Sequence, residues 1–254
     1  MGCTHANTHE KNSLEKAFIS LFEQSLGFTN LKVADFNRII LFYSDFPKMS
    51  TTQFFNAFQS IQVAVHEHKN FYEIFLEDNL ISARKICCLG ILLCNGEVSE
   101  KVSLIFDNYD KYCSGSLSIN KTEEMIYEIV NIVCSIIPKY VLSLNRTNQE
   151  LRKYVSKLSV LVPTVVRNYI TVIMGNSKKI TKANFIKYFS QPKMIYLLNP
   201  SRLRSYTFKM FRDMVKPALL IRNASPAVPK CQTARSKNSP KFFDFAEIKV
   251  YKEF

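Results

Sequence analysis

The chain has 254 residues, a hydrophobic fraction of 47% and a formal net charge of +13. That much apolar sequence supports one large core or two small ones and excludes wholesale disorder. The basic balance favours an anionic partner such as a phospholipid surface, nucleic acid or an acidic protein.

Six glycines and helical spacing of apolar residues through the middle predict a mostly α-helical protein. Seven cysteines (Cys3, Cys87, Cys88, Cys94, Cys113, Cys134 and Cys231) are scattered, odd in number and without a CxxC pair. Reduced thiols in a cytoplasmic protein are therefore expected, not a disulfide framework. The longest apolar run, Ile86 to Leu93, is far shorter than a membrane span, so no bilayer crossing is expected.

The chain begins Met1-Gly2-Cys3-Thr4-His5-Ala6. With Met1 removed, Gly2 can accept a myristoyl group, although Ala6 stands where the motif prefers Ser or Thr. Cys3 supplies a second acylation point, and two acyl chains hold a protein at a membrane surface where one is marginal. From Ser13 to Gly27, the residues Leu14, Phe18, Leu21, Phe22 and Leu26 predict one buried helix face. Val33 to Phe46 predicts the next helix, with Phe36, Ile39, Ile40 and Phe42 buried and Pro47 as its stop.

Four helix–loop–helix joins follow, each with one apolar residue at the eighth place of a twelve-residue loop frame: Met49, Ile81, Leu117 and Ile180. At the twelfth place stand Gln53, Lys85, Lys121 and Asn184. The third join is the fullest. The run Phe106-Asp107-Asn108-Tyr109-Asp110 ends an apolar helix, Gly115 sits at place 6, and Glu123-Glu124-Met125-Ile126 lies in the outgoing helix. Calcium at that spacing needs oxygens at places 1, 3, 5, 7 and 9 and a bidentate Glu at 12. Here those places hold Asp110, Tyr112, Ser114, Ser116, Ser118 and Lys121. Asp110, Ser114 and Ser116 are the candidate metal ligands, as the remains of a calcium site with low occupancy. Lys121 opposes the ion: two unit charges about 4 Å apart repel by roughly 4 kcal/mol at an effective dielectric of about 20, and a divalent ion doubles that.

Pro138 is expected to stop or kink the helix after Met125, and Asn145 to Gln149 to link two halves. Arg202, Arg204, Lys209, Arg212 and Lys216, with Tyr206, Phe208 and Phe211 among them, predict a basic amphipathic helix; nucleic acid is not the favoured partner. From Lys216 a Pro- and Ser-containing basic stretch predicts a flexible tail, ending in the aromatic run Phe242-Phe243-Asp244-Phe245, for which docking is expected.

The run Gly96 to Ile126, with Glu97, Glu100, Lys101 and Phe106-Asp107-Asn108-Tyr109-Asp110, resembles the EF-hand superfamily. The resemblance is particularly to the neuronal-calcium-sensor and calaxin-like branches. Ile180 to Phe185, followed by Pro192 and Leu197-Leu198, is similar to the last hand of those sensors, and Met1-Gly2-Cys3 to their acylated start. The resemblance implies an all-α fold of two paired EF-hand lobes, mostly degenerate, with a flexible basic tail. The expected organisation is an acylated arm (1–12), a first pair (13–95), a second pair (96–200), and a basic helix and tail (201–254). It implies an interaction or adaptor protein that holds a partner helix in a hydrophobic groove, independent of calcium or weakly dependent on it. No cofactor is expected. The alternatives are a calcium sensor loading the 110–121 loop and a structural component of a ciliary axoneme, where the basic tail would meet acidic tubulin. Localisation is expected to be cytoplasmic, with a membrane anchor through Gly2 and Cys3. No nucleophile–base grouping, phosphate loop or HExxH accompanies these features, so an enzyme is not expected.

Overall fold

A repeated dipeptide starts the helix that leaves each loop. In Met49-Ser50, Ile81-Ser82, Leu117-Ser118 and Ile180-Thr181 an apolar residue precedes a hydroxyl residue. Each hydroxyl accepts from the backbone N–H three residues on, at 3.2 Å for Ser50, 3.5 Å for Ser82, 3.4 Å for Ser118 and 3.3 Å for Thr181. This satisfies one of the donors that a helix start leaves unpaired. At Ser50 the exchange is reciprocal, because Gln53 Oε1 accepts from the Ser50 N–H at 2.7 Å.

The computed structural model describes the backbone of residues 7–223 and the side chains of residues 14–214. The fold is mostly α-helical. In chain order the elements are α1 (Asn7–Ser25), α2 (Val33–Tyr43), β1 (Lys48–Met49), α3 (Thr51–Ser60), α4 (Lys69–Tyr72), β2 (Leu76–Glu77), β3 (Leu80–Ser82) and α5 (Ala83–Leu93). Then follow α6 (Val98–Asp107), β4 (Ser116–Ser118), α7 (Ile119–Asn131), α8 (Ile137–Leu144), α9 (Gln149–Met174), β5 (Lys179–Thr181), α10 (Lys182–Tyr188), α11 (Pro192–Ile195) and α12 (Pro200–Asn223).

The strands are loop-length and antiparallel. Met49 faces Ile81 where β1 meets β3, and Leu117 faces Ile180 where β4 meets β5. The four apolar loop residues thus meet as two buried pairs. β2 adds a third strand on the far side of β3, with Leu76 opposite Ile81.

One buried cluster runs through both halves. α5 lies so close to α2 that a Cβ on Gly90 would come within 2.1 Å of Phe36, so only glycine fits there. Asn108, at the end of α6, donates to Asn37 of α2 at 2.9 Å, and both side chains are buried. Phe22 of α1, Phe71 of α4 and Tyr140 of α8 pack ring to ring with centroids 5.0–5.2 Å apart, which brings α1 onto the second half of the chain.

Several sequence expectations are corrected. On α1 the inward face carries Glu15, Ile19, Phe22 and Glu23, with Leu26 buried just beyond its end, whereas Leu14, Phe18 and Leu21 are exposed. On α2 the buried set is Val33, Phe36, Asn37 and Ile40, and Phe42 is exposed. Pro138 does not stop its helix. A π-helical segment, Ile132–Ile136, joins α7 to α8, and the widened turn accommodates the missing N–H. Asn145 to Asn148 is a tight connection, with Asn148 Oδ1 capping α9 at the Leu151 N–H (2.9 Å). α12 passes through Pro217 to Asn223, beyond the expected start of the tail at Lys216. The residues Ile119–Leu144 and Gln149–Met174 are each long and apolar enough to cross a membrane by length and composition. Within the fold, 61% of the first one's most apolar window is buried and 44% of the second one's.

Candidate functional site

The 110–121 loop begins where α6 ends. Asp110 is buried, and its carboxylate accepts from the Ser114 N–H and hydroxyl, both at 2.9 Å, and from the Gly115 N–H at 2.7 Å. Gly115 can turn this tightly because it sits at φ +69°, which side-chain-bearing residues rarely adopt. Ser114 Oγ also lies 2.9 Å from the Ser116 carbonyl, so its single proton is shared between two acceptors. Asp110, Ser114 and Ser116 are therefore brought together. Tyr112 is not: its side chain is 84% exposed, and its ring lies 5.6 Å from the Lys111 ammonium.

The electrostatics of Asp110 follow from these donors. Burial pushes its pKa up, but the Ser114 and Gly115 donors and the charge of Lys182 outweigh this and hold it below the usual carboxylate value. Among the described residues, no cluster of three or more His, Cys, Asp or Glu side chains forms.

In the first three loops the side chain at place 12 is committed to the protein itself. Lys121 bonds Glu124 at 2.5 Å, and Glu124 in turn takes the Arg84 guanidinium of α5 at 2.7 Å. Lys85 reaches back to Glu77, inside its own loop, at 2.5 Å. Gln53 Nε2 reaches back to Asp45 at 3.0 Å, again inside its own loop. The Asn184 N–H is capped by Thr181. Between the third and fourth loops Lys182 grips both carboxylate oxygens of Asp107, at 2.7 and 2.8 Å.

Tyr109, the residue before the loop, connects it to the core. Its hydroxyl donates to Glu128 and lies 3.4 Å from Cys88 Sγ, while Arg84 stacks over its ring at 5.0 Å. Burial raises the Glu128 pKa above the ordinary carboxylate value, and the Tyr109 hydrogen bond and nearby cations only partly offset this.

Arg204 lies far from the basic surface where the sequence pattern groups it. It is fully buried and pairs with Glu23 of α1 through two contacts, at 2.6 and 2.9 Å. The signal was present: Leu203 and Thr207 flank it on an inward helical face, so a charge at Arg204 demands a buried partner. His66 stacks on Phe55 at 5.3 Å, and His68 packs edge-on to Phe22 at 5.5 Å with its Nε2 3.0 Å from the Ser25 carbonyl. Cys87, Cys88, Cys94 and Cys134 are buried free thiols, and Cys113 is exposed. Gly2, Cys3 and the aromatic run at 242–245 lie outside the described residues.

No protein-family model matches the chain, and no curated protein or solved structure matches it either.

Proposed function

We propose that this chain is an EF-hand-like interaction protein, built from two pairs of degenerate helix–loop–helix units, that holds a partner helix without needing calcium. The observation that carries this reading is the commitment of the place-12 side chains. Lys85 to Glu77, Gln53 to Asp45 and Lys121 to Glu124 are internal bonds where a calcium loop would present its chelating Glu. The pairing of Met49 with Ile81 and of Leu117 with Ile180 supports it, since those contacts are apolar and backbone-made and require no ion. The partner surface is supported by α1, where Leu14, Phe18 and Leu21 point outward at the i, i+4, i+7 spacing with which helices recognise one another.

Calorimetric titration of the full chain with calcium tests the first half of this reading. The expected result is no saturable heat in the micromolar range; micromolar binding abolished by Asp110→Ala would overturn it. Cross-linking in cell extract tests the second half. Adducts should concentrate on α1 and disappear with Leu21→Asp, and adducts unchanged by that substitution would place the partner elsewhere.

A calcium-sensor reading has one observation in its favour: Asp110, Ser114 and the Ser116 carbonyl already converge. The same titration separates the two.

A further inference from the structure

A cavity of about 780 Å³ opens between α11 and α12, and no residue of the paired loops lines it. Lys193 of α11 and Arg202 and Lys209 of α12 line it, and among the described residues none of these three cations makes an ion pair. One carboxylate, Asp213, also borders it. Its walls include Tyr196 and Tyr206, with ring centroids 6.4 Å apart, and Tyr169 lies 6.0 Å beyond Tyr206. A second cavity, of about 460 Å³, continues from it and shares Lys193 and Tyr206.

The arrangement is preorganised by the core. Arg204 is locked to Glu23, which fixes the rotation of α12 about its axis. Arg202, Tyr206, Lys209 and Asp213 then fall on one outward face, at successive turns of the helix. Arg202 sits in the first turn of α12, where Asn199 caps its N–H at 3.0 Å and the helix dipole adds positive potential. A guanidinium fork and two ammonium groups match the oxygens of a phosphate chain, and tyrosine faces accept a planar ring by stacking. The volume lies within the ~300–1,000 Å³ range of small-ligand sites.

We propose that this cavity binds a nucleoside phosphate, with the base against the tyrosine rings and the phosphates on Lys193, Arg202 and Lys209. The site is independent of the loop reading.

The test is calorimetric titration of the full chain with ADP, with inorganic tripolyphosphate and with an Asp/Glu-rich peptide. Saturable ADP binding is expected, weakened about tenfold by Arg202→Ala and again by Lys209→Ala. Both side chains are exposed, so thermal unfolding of the two variants should match wild type. Tripolyphosphate should bind at least about tenfold more weakly than ADP, because it forgoes the stacking. Tyr206→Leu should remove that preference, and if this variant fails to fold, the comparison of the two ligands on wild type carries the ring claim. Absence of ADP binding would overturn the proposal, as would ADP binding unchanged in the two charge variants. Tripolyphosphate binding as tightly as ADP would reduce the cavity to an anion patch. Peptide binding without ADP binding would make it a protein-docking groove.

Discussion

Of the ion pairs that join segments distant in sequence, two work in opposite surroundings. At the junction of α1 and α12, Arg204 and Glu23 meet at 2.6 Å with side chains 1% and 10% exposed. At the rim of the paired loops, Lys182 and Asp107 meet at 2.7 Å with side chains 33% and 51% exposed. The distances are nearly equal, but the consequences of losing a partner are not. A charge stranded in the core keeps its full desolvation cost, whereas one stranded at the rim is taken up by water. The loop edge is held by its apolar pairs and backbone bonds, so its charged residues can change with little loss of fold. The α1–α12 junction allows no such freedom.

The largest effect is expected at the junction. Arg204→Ala strands the Glu23 carboxylate and should cost about 3–5 kcal/mol, measured by urea unfolding. The double variant Glu23→Leu with Arg204→Met removes both charges at similar volume and should recover most of that loss. A double variant as unstable as the single one would show that packing, not charge burial, is what α12 loses.

Next comes the apolar pairing at the loop edge. Leu117 is 2% exposed and Ile180 5%, facing each other across β4 and β5. Leu117→Ala should cost about 2–4 kcal/mol, with a similar loss for Ile81→Ala in the first pair. Equal losses would show that the two pairs share one structural role; a near-neutral Leu117→Ala would break the claim that apolar contact, and not charge, holds the rim.

How much of this is legible in the sequence follows from the range of each interaction. Met49, Ile81, Leu117 and Ile180 can be found by local spacing, because each precedes its own helix start by a fixed step. The helical character is legible for the same reason. The face of α1 is not. Leu14, Phe18 and Leu21 have the right period for burial, yet Glu15 and Glu23 take the inward positions. Glu23 is buried because Arg204 waits for it 181 residues away, and no local pattern carries that information. The place-12 residues were legible as poor calcium ligands, but their bonds to Asp45, Glu77 and Glu124 emerge only with the turn geometry.

The Asp110 cap lies between the two extremes, since the carboxylate is buried but serves only its own loop. Asp110→Asn keeps the shape and weakens the charge-assisted bonds to Ser114 and Gly115, at an expected cost of about 1–2 kcal/mol at neutral pH. The pH dependence has a definite sign. The folded pKa is held below the ordinary carboxylate value, so the stabilisation is complete above the unfolded pKa of about 3.9 and fades as pH falls through the folded one. Wild type and Asp110→Asn should therefore differ by a constant amount down to about pH 5 and converge in stronger acid. A gap that widened on acidification would contradict the hydrogen-bond assignment.

The smallest effect is expected at the rim pair itself. Lys182→Ala should cost less than about 1 kcal/mol, because the ammonium and carboxylate are both partly in water and are screened by salt. A double-mutant cycle with Asp107→Ala isolates the pair from the backbone bond that Lys182 also makes, in which its N–H donates to the Gly115 carbonyl at 3.0 Å. That backbone bond survives the side-chain change and should keep β4 and β5 in register. The coupling energy should shrink further as salt is raised, in contrast to the Arg204–Glu23 pair, whose buried contacts salt scarcely reaches. A rim coupling as large and as salt-insensitive as the junction's would remove the distinction between the two regions.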